Sequence, residues 1–109
     1  MTVFRKLVRD RIPETIRESH RVPVTETIPE QEMAAALRAK LEEETAELLA
    51  AASPEAVCEE AADVLEVLRA LTDRAGIPWE SVEKARAAKR EARGGFDAGI
   101  RLLTVSEEA

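Results

Sequence analysis

Two stretches of helical periodicity, separated by Ser53–Pro54, constrain the fold of this 109-residue chain more than any other feature. From Glu30 onward, Met33, Leu37, Leu41 and Leu48 recur at three- and four-residue steps or sums of them. That spacing gathers apolar side chains on one helix face. After the break, Val57, Val64, Leu65, Leu68 and Leu71 repeat the pattern. Ser53 suits the N-cap, where its hydroxyl accepts from an orphan amide of the first turn. Pro54 suits the first helical position, where no N–H is needed. So short a break makes the two helices antiparallel neighbours. Gly76 is the expected stop of the second helix, and a third is expected from about Pro78 to about Arg93, ended by Gly94–Gly95.

Both ends are less regular. Pro13 suits the first turn of a short helix running to about His20. The stretch from Arg21 to Pro29 holds two prolines and several β-branched residues, which predicts an extended loop or short edge strand. The tail from Phe96 carries Ile100, Leu102, Leu103 and Val105 and is also expected to be extended, pairing with the earlier segment. The expected fold is therefore all-α: an antiparallel helical hairpin plus a third helix, with short extended segments near both ends, in one domain over residues 1–109. Alanine-rich faces leave apolar surface that one thin protomer cannot cover. Pairing two hairpins into a four-helix bundle would cover it.

Charge along the chain is segregated. There are 22 acidic and 16 basic side chains, a formal net charge of −6. Residues 41–68 hold nine of the acids and neither Lys nor Arg, so the remainder, with 13 acids and all 16 bases, is net +3. A net acidic chain is not a general nucleic-acid binder. One cysteine and one histidine exclude an internal disulfide and a His/Cys zinc site, leaving oxygen ligands for any metal. Cys58 is expected as a small, inert core residue, and His20 as a structural or incidental one. No apolar run of about 18 residues is present to span a membrane. The basic start (Arg5, Lys6, Arg9, Arg11) lacks the apolar stretch of a secretory signal, so a cytoplasmic location is expected.

Within the acidic stretch, Glu44/Glu47 and Glu60/Asp63 are spaced i,i+3, which puts each pair on one helix face. A turn centred near Ser53 sets Glu44 opposite Asp63 and Glu47 opposite Glu60. At 100° per residue, Leu37, Leu48 and Leu41 lie about 20°, 40° and 60° from Glu44. Val67, Leu71, Val64 and Val57 lie about −20°, 20°, 40° and 60° from Glu60. Both glutamates thus fall inside apolar stripes, where a solvated charge face would not put them. At ~6 Å and an effective dielectric near 20, each facing like-charge pair repels by roughly 3 kcal/mol. A divalent cation is the economical counter-charge, and carboxylate oxygens suit Mg²⁺.

Glu43–Glu44–Thr45–Ala46–Glu47 followed by Glu59–Glu60–Ala61–Ala62–Asp63 resembles the EExxE and EExxD motifs of the MazG-like all-α nucleoside triphosphate pyrophosphohydrolases. The opening from Lys6 to Ile16, with Lys6–Leu7–Val8–Arg9–Asp10–Arg11–Ile12–Pro13, resembles the start of a small house-cleaning branch of that superfamily. Lys89–Arg90–Glu91–Ala92–Arg93–Gly94–Gly95–Phe96 is similar to its closing motif. The resemblance implies Mg²⁺-dependent cleavage between the α and β phosphates of a nucleoside triphosphate, giving a monophosphate and pyrophosphate. It implies Glu44, Glu47, Glu60 and Asp63 as metal ligands, with Glu43 binding a further ion or orienting the attacking water. Glu43 and Glu47 both remain candidates for the general base. A homodimer or dimer of dimers is likewise implied.

Phosphates also need cations. Lys89, Arg93 and Arg86 lie at about 0°, 40° and 60° on the third helix, with Arg90 at the edge of the stripe. Lys89, Arg90 and Arg93 are the candidate phosphate ligands there, with Lys6 and Arg9 as further candidates. The alternative is a solvated helix end whose cations suit the helix dipole. Three functional readings stand: house-cleaning of noncanonical nucleotides, phosphoribosyl-ATP pyrophosphohydrolysis, or a non-enzymatic helical dimer acting as an interaction module. With neither Tyr nor Asn in the chain, loose base selectivity is expected.

Overall fold

The computed structural model describes residues 2 and 4–108, and among them the chain is all-helical. Four helices follow in order: α1 (Ile12–Glu18), α2 (Glu30–Ala50), α3 (Pro54–Arg74) and α4 (Trp79–Arg93). The chain divides into two units, Met1–Ile77 and Pro78–Ala109. None of the described helices is long and apolar enough to cross a membrane.

The first unit is built on the α2–α3 hairpin. Ser53 Oγ accepts from the Ala56 N–H at 3.1 Å, with Pro54 as the first residue of α3. Such a cap contributes about 1 kcal/mol. At the other end of the hairpin, Arg74 donates to Glu30, tying the last residue of α3 to the first of α2. Beyond α3, Gly76 takes φ +73°. The Gly76 and Ile77 N–H groups donate to the carbonyls of Asp73 and Thr72, a Schellman closure that satisfies carbonyls left over at the helix end. A glycine meets that left-handed position without a side-chain penalty.

The same closure ends α1 without a glycine. His20 has φ +62°, and the His20 and Arg21 N–H groups donate to the Arg17 and Ile16 carbonyls. Histidine is one of the residues enriched in this region, so its structural role is to turn the chain after α1.

Two expectations change. Among the described residues, 21–29 take the loop alternative, and the tail, expected to pair with the earlier segment, forms no strand. Pro23 and Pro29 remove two backbone donors, and a lone extended segment has no ladder to join. Cys58 is exposed rather than in the core; its spacing puts it about 180° around α3 from the buried Val67. The fully buried apolar side chains among the described residues are Leu37 and Val67, one from each hairpin helix.

In the second unit, α4 carries an Arg86–Glu83 ion pair at 2.6 Å and ends at Gly94, φ +83°. Trp79, at its start, is half-buried.

Candidate metal centre

Helix periodicity and hairpin register together bring four carboxylates to one place. Glu44 and Glu47 stand one turn apart on α2, Glu60 and Asp63 one turn apart on α3, and one oxygen from each lies within 4.8 Å of all the others. Glu44 is the most enclosed, at 7% exposure, because it occupies the α2 face that also buries Leu37. Glu60 and Asp63 are half-buried and Glu47 is exposed.

The electrostatics are unfavourable without a cation. Glu44 Oε2 and Glu60 Oε2 are buried and have no hydrogen-bond partner. Burial, together with the adjoining Glu47 carboxylate, pushes Glu44 above the ordinary carboxylate range, against the pull of Lys40. Buried carboxylate oxygens without donors cost several kcal/mol unless a proton or cation meets them. Four carboxylates, two of which carry an orphaned buried oxygen, fit a Mg²⁺-type ion. The residues present therefore pass the chemical test for a divalent-cation site.

Three protein cations stand at the rim. Lys40 Nζ lies 3.3 Å from Glu44 Oε1 and 3.4 Å from Glu43 Oε2. Lys6 Nζ is 3.3 Å from Glu43 Oε1, and Arg9 Nη2 is 2.7 Å from Asp63 Oδ1. Burial works to raise the Glu43 carboxyl, but Lys6 and Lys40 outweigh it and hold it below the ordinary range. With Glu43 included, five carboxylates face three cations, a formal residue of −2. One divalent cation balances that residue.

The structure sorts the sequence candidates. Glu44, Glu47, Glu60 and Asp63 converge. Glu43 lies beside them but turns its two oxygens to Lys6 and Lys40. Lys6 and Arg9 reach the hairpin, and Arg9 pairs with Asp63 rather than its neighbour Asp10. Lys89, Arg90 and Arg93 are exposed on α4, in the second unit, with Arg90 3.7 Å from Asp97. Gly95 lies against Arg90, whose guanidinium a Cβ there would meet. Lys40 was outside the sequence candidates because it precedes the base-free stretch by one residue. Its i,i+3 and i,i+4 spacing to Glu43 and Glu44 is the signal that identifies it.

A family model described as phosphoribosyl-ATP pyrophosphohydrolase matches residues 2–90. A protein of Mycolicibacterium smegmatis, described only as uncharacterized, is 57% identical over 54 residues, 50% of this chain and 55% of that one. The chain thus spans about half the length of this curated relative. No solved structure matches it. The carboxylate-bearing hairpin lies wholly within the matched residues, and the chain belongs to the phosphoribosyl-ATP pyrophosphohydrolase family, part of the MazG-like all-helical superfamily.

Proposed function

We propose that the chain is a divalent-metal-dependent nucleotide pyrophosphohydrolase that removes noncanonical nucleoside triphosphates in the cytoplasm. The observation that carries this reading is the four-carboxylate group with two orphaned buried oxygens in a chain of this family. Glu44, Glu47, Glu60 and Asp63 are the residues that would hold the cation, with Mg²⁺ the best fit to their donors. A cation bound there offsets charge on the phosphate oxygens and eases ionisation of the attacking water. Glu47 is favoured over Glu43 as general base, because each Glu43 oxygen already accepts from a lysine. Exposed to solvent, Glu47 takes the water's proton as an O–Pα bond forms and the Pα–O–Pβ bridge breaks, with pyrophosphate leaving. Lys6 and Arg9, beside the carboxylates in the first unit, are cations proposed to bind phosphate; Lys89, Arg90 and Arg93 remain a candidate set within the second unit.

A second reading, hydrolysis of phosphoribosyl-ATP, is favoured by the description of the matched family. The same bond breaks in both, so the test is the substrate. Pyrophosphate release is to be measured on standard and noncanonical triphosphates and on phosphoribosyl-ATP, with Mg²⁺ and with EDTA. The expected result is release from triphosphates that EDTA abolishes. Turnover of phosphoribosyl-ATP alone replaces the first reading with the second. No turnover of any substrate, with a melting temperature indifferent to Mg²⁺ and nucleotide, leaves the non-enzymatic interaction module.

We also infer that the hairpin pairs with a second copy. Two 21-residue helices bury only Leu37 and Val67 fully among the described apolar residues, while Leu49 is 82% and Leu65 45% exposed. A four-helix bundle of two hairpins would cover such residues. Light scattering at micromolar concentration should therefore report at least twice the 12.0 kDa chain mass. A single-chain mass refutes the pairing.

A further inference from the structure

The segment before α1 reaches the acidic hairpin through two pairs that differ in kind. Lys6 binds Glu43, 37 residues away, and Arg9 binds Asp63, 54 residues away. Glu43 stands outside the four-carboxylate group, so Lys6 ties the segment down without occupying a member of that group. The Lys6 ammonium also lies 5.4 Å from the centre of the Phe4 ring. Asp63 is a member of the group, so Arg9 neutralises a carboxylate that a divalent cation would also claim. The Arg9 side chain is 56% and that of Asp63 38% exposed, so water can replace either partner as they separate.

We propose that Arg9 is a parked cation. Arg9 is the counter-charge of Asp63, would leave that carboxylate were a divalent cation held by it, and would then donate to a phosphate oxygen of the incoming nucleotide. The proposal rests on the metal-site reading above and adds to it an exchange of partners at one guanidinium. Lys6, still paired with Glu43, keeps the segment within reach of the site while Arg9 changes partner. Arg9 therefore acts on the two ligands in opposite directions: it opposes the metal and favours the nucleotide. An arginine that merely oriented Asp63 toward a metal would favour both.

The experiment is calorimetric titration of Mn²⁺ into the full chain, as wild type, Arg9→Gln and Arg9→Lys, beside KM for the triphosphate turned over. Arg9→Gln should bind Mn²⁺ about three- to fivefold more tightly, the scale of one half-exposed ion pair. Its KM should rise about tenfold, as expected for a lost charge-assisted bond to phosphate. Arg9→Lys, which retains the charge, should lie near wild type in Mn²⁺ affinity. Equal or weaker Mn²⁺ binding by Arg9→Gln overturns the exchange while leaving the metal site standing. Wild-type protein that takes up no Mn²⁺ overturns the metal site, and the exchange with it.

Discussion

Asp63→Asn and Glu47→Gln are each expected to lower kcat for pyrophosphate release by on the order of 10³, with the fold intact. Metal-borne charge stabilisation of a transition state amounts to several kcal/mol. Losing about 4 kcal/mol of it corresponds to a thousandfold in rate. Glu47 is exposed and belongs to a group of mutually repelling carboxylates, while Asp63, half-buried in the same group, gives up one part-exposed ion pair with Arg9, a kind of pair that adds little stability. The metal-free melting temperature of Glu47→Gln should equal or exceed that of the wild type, and that of Asp63→Asn should fall by no more than the loss of one exposed ion pair. Steady-state kinetics beside thermal melts in EDTA make the comparison. Full activity in both variants would remove these carboxylates from the chemistry.

Glu44→Leu has the opposite signature, a gain in stability with a loss of ligand response. Glu44 is 7% exposed, shares its helix face with Leu37, and keeps one buried oxygen without a donor. Leucine there continues the apolar stripe, and Lys40 retains Glu43 as its partner. Replacing a poorly satisfied buried charge by an apolar side chain of similar size commonly stabilises by about 1–4 kcal/mol. Even about 1–2 kcal/mol raises the melting temperature of a domain this size by about 5–10 °C. Wild-type protein should gain stability on Mg²⁺ addition, because a ligand that binds only the folded state shifts the equilibrium toward it. Glu44→Leu should show no such gain. A variant that melts lower than wild type in EDTA would mean that Lys40 already satisfies the Glu44 carboxylate.

The helical part of the architecture was legible because its determinants are local. Ser53 and Pro54 mark the start of α3 through one side-chain acceptor and one missing donor, and the helix begins at Pro54. The convergence of Glu44, Glu47, Glu60 and Asp63 was legible for the same reason. An i,i+3 spacing is a property of a single helix, and a tight break between two antiparallel helices leaves little freedom of register. Cys58 shows the limit of such reasoning: composition favours burial of a lone cysteine, but the angular position of its side chain on α3 leaves it exposed.

What the sequence determined by itself was the hairpin and the acidic face within it, both consequences of periodicity over a few turns. It also showed an excess of negative charge along residues 41–68, which raised the expectation of a divalent counter-ion. Only the tertiary structure decided how much of that charge the protein balances itself. Lys6 and Arg9 lie in an irregular segment, 37 and 54 residues from their partners, and no helical period connects them. Their positions depend on where the chain travels before α1, which long-range electrostatics and packing settle together. With Lys40 added, the unbalanced charge around the site falls to −2. The acidity visible in the sequence thereby resolves into four converging carboxylates, one of them paired with an arginine from the segment before α1.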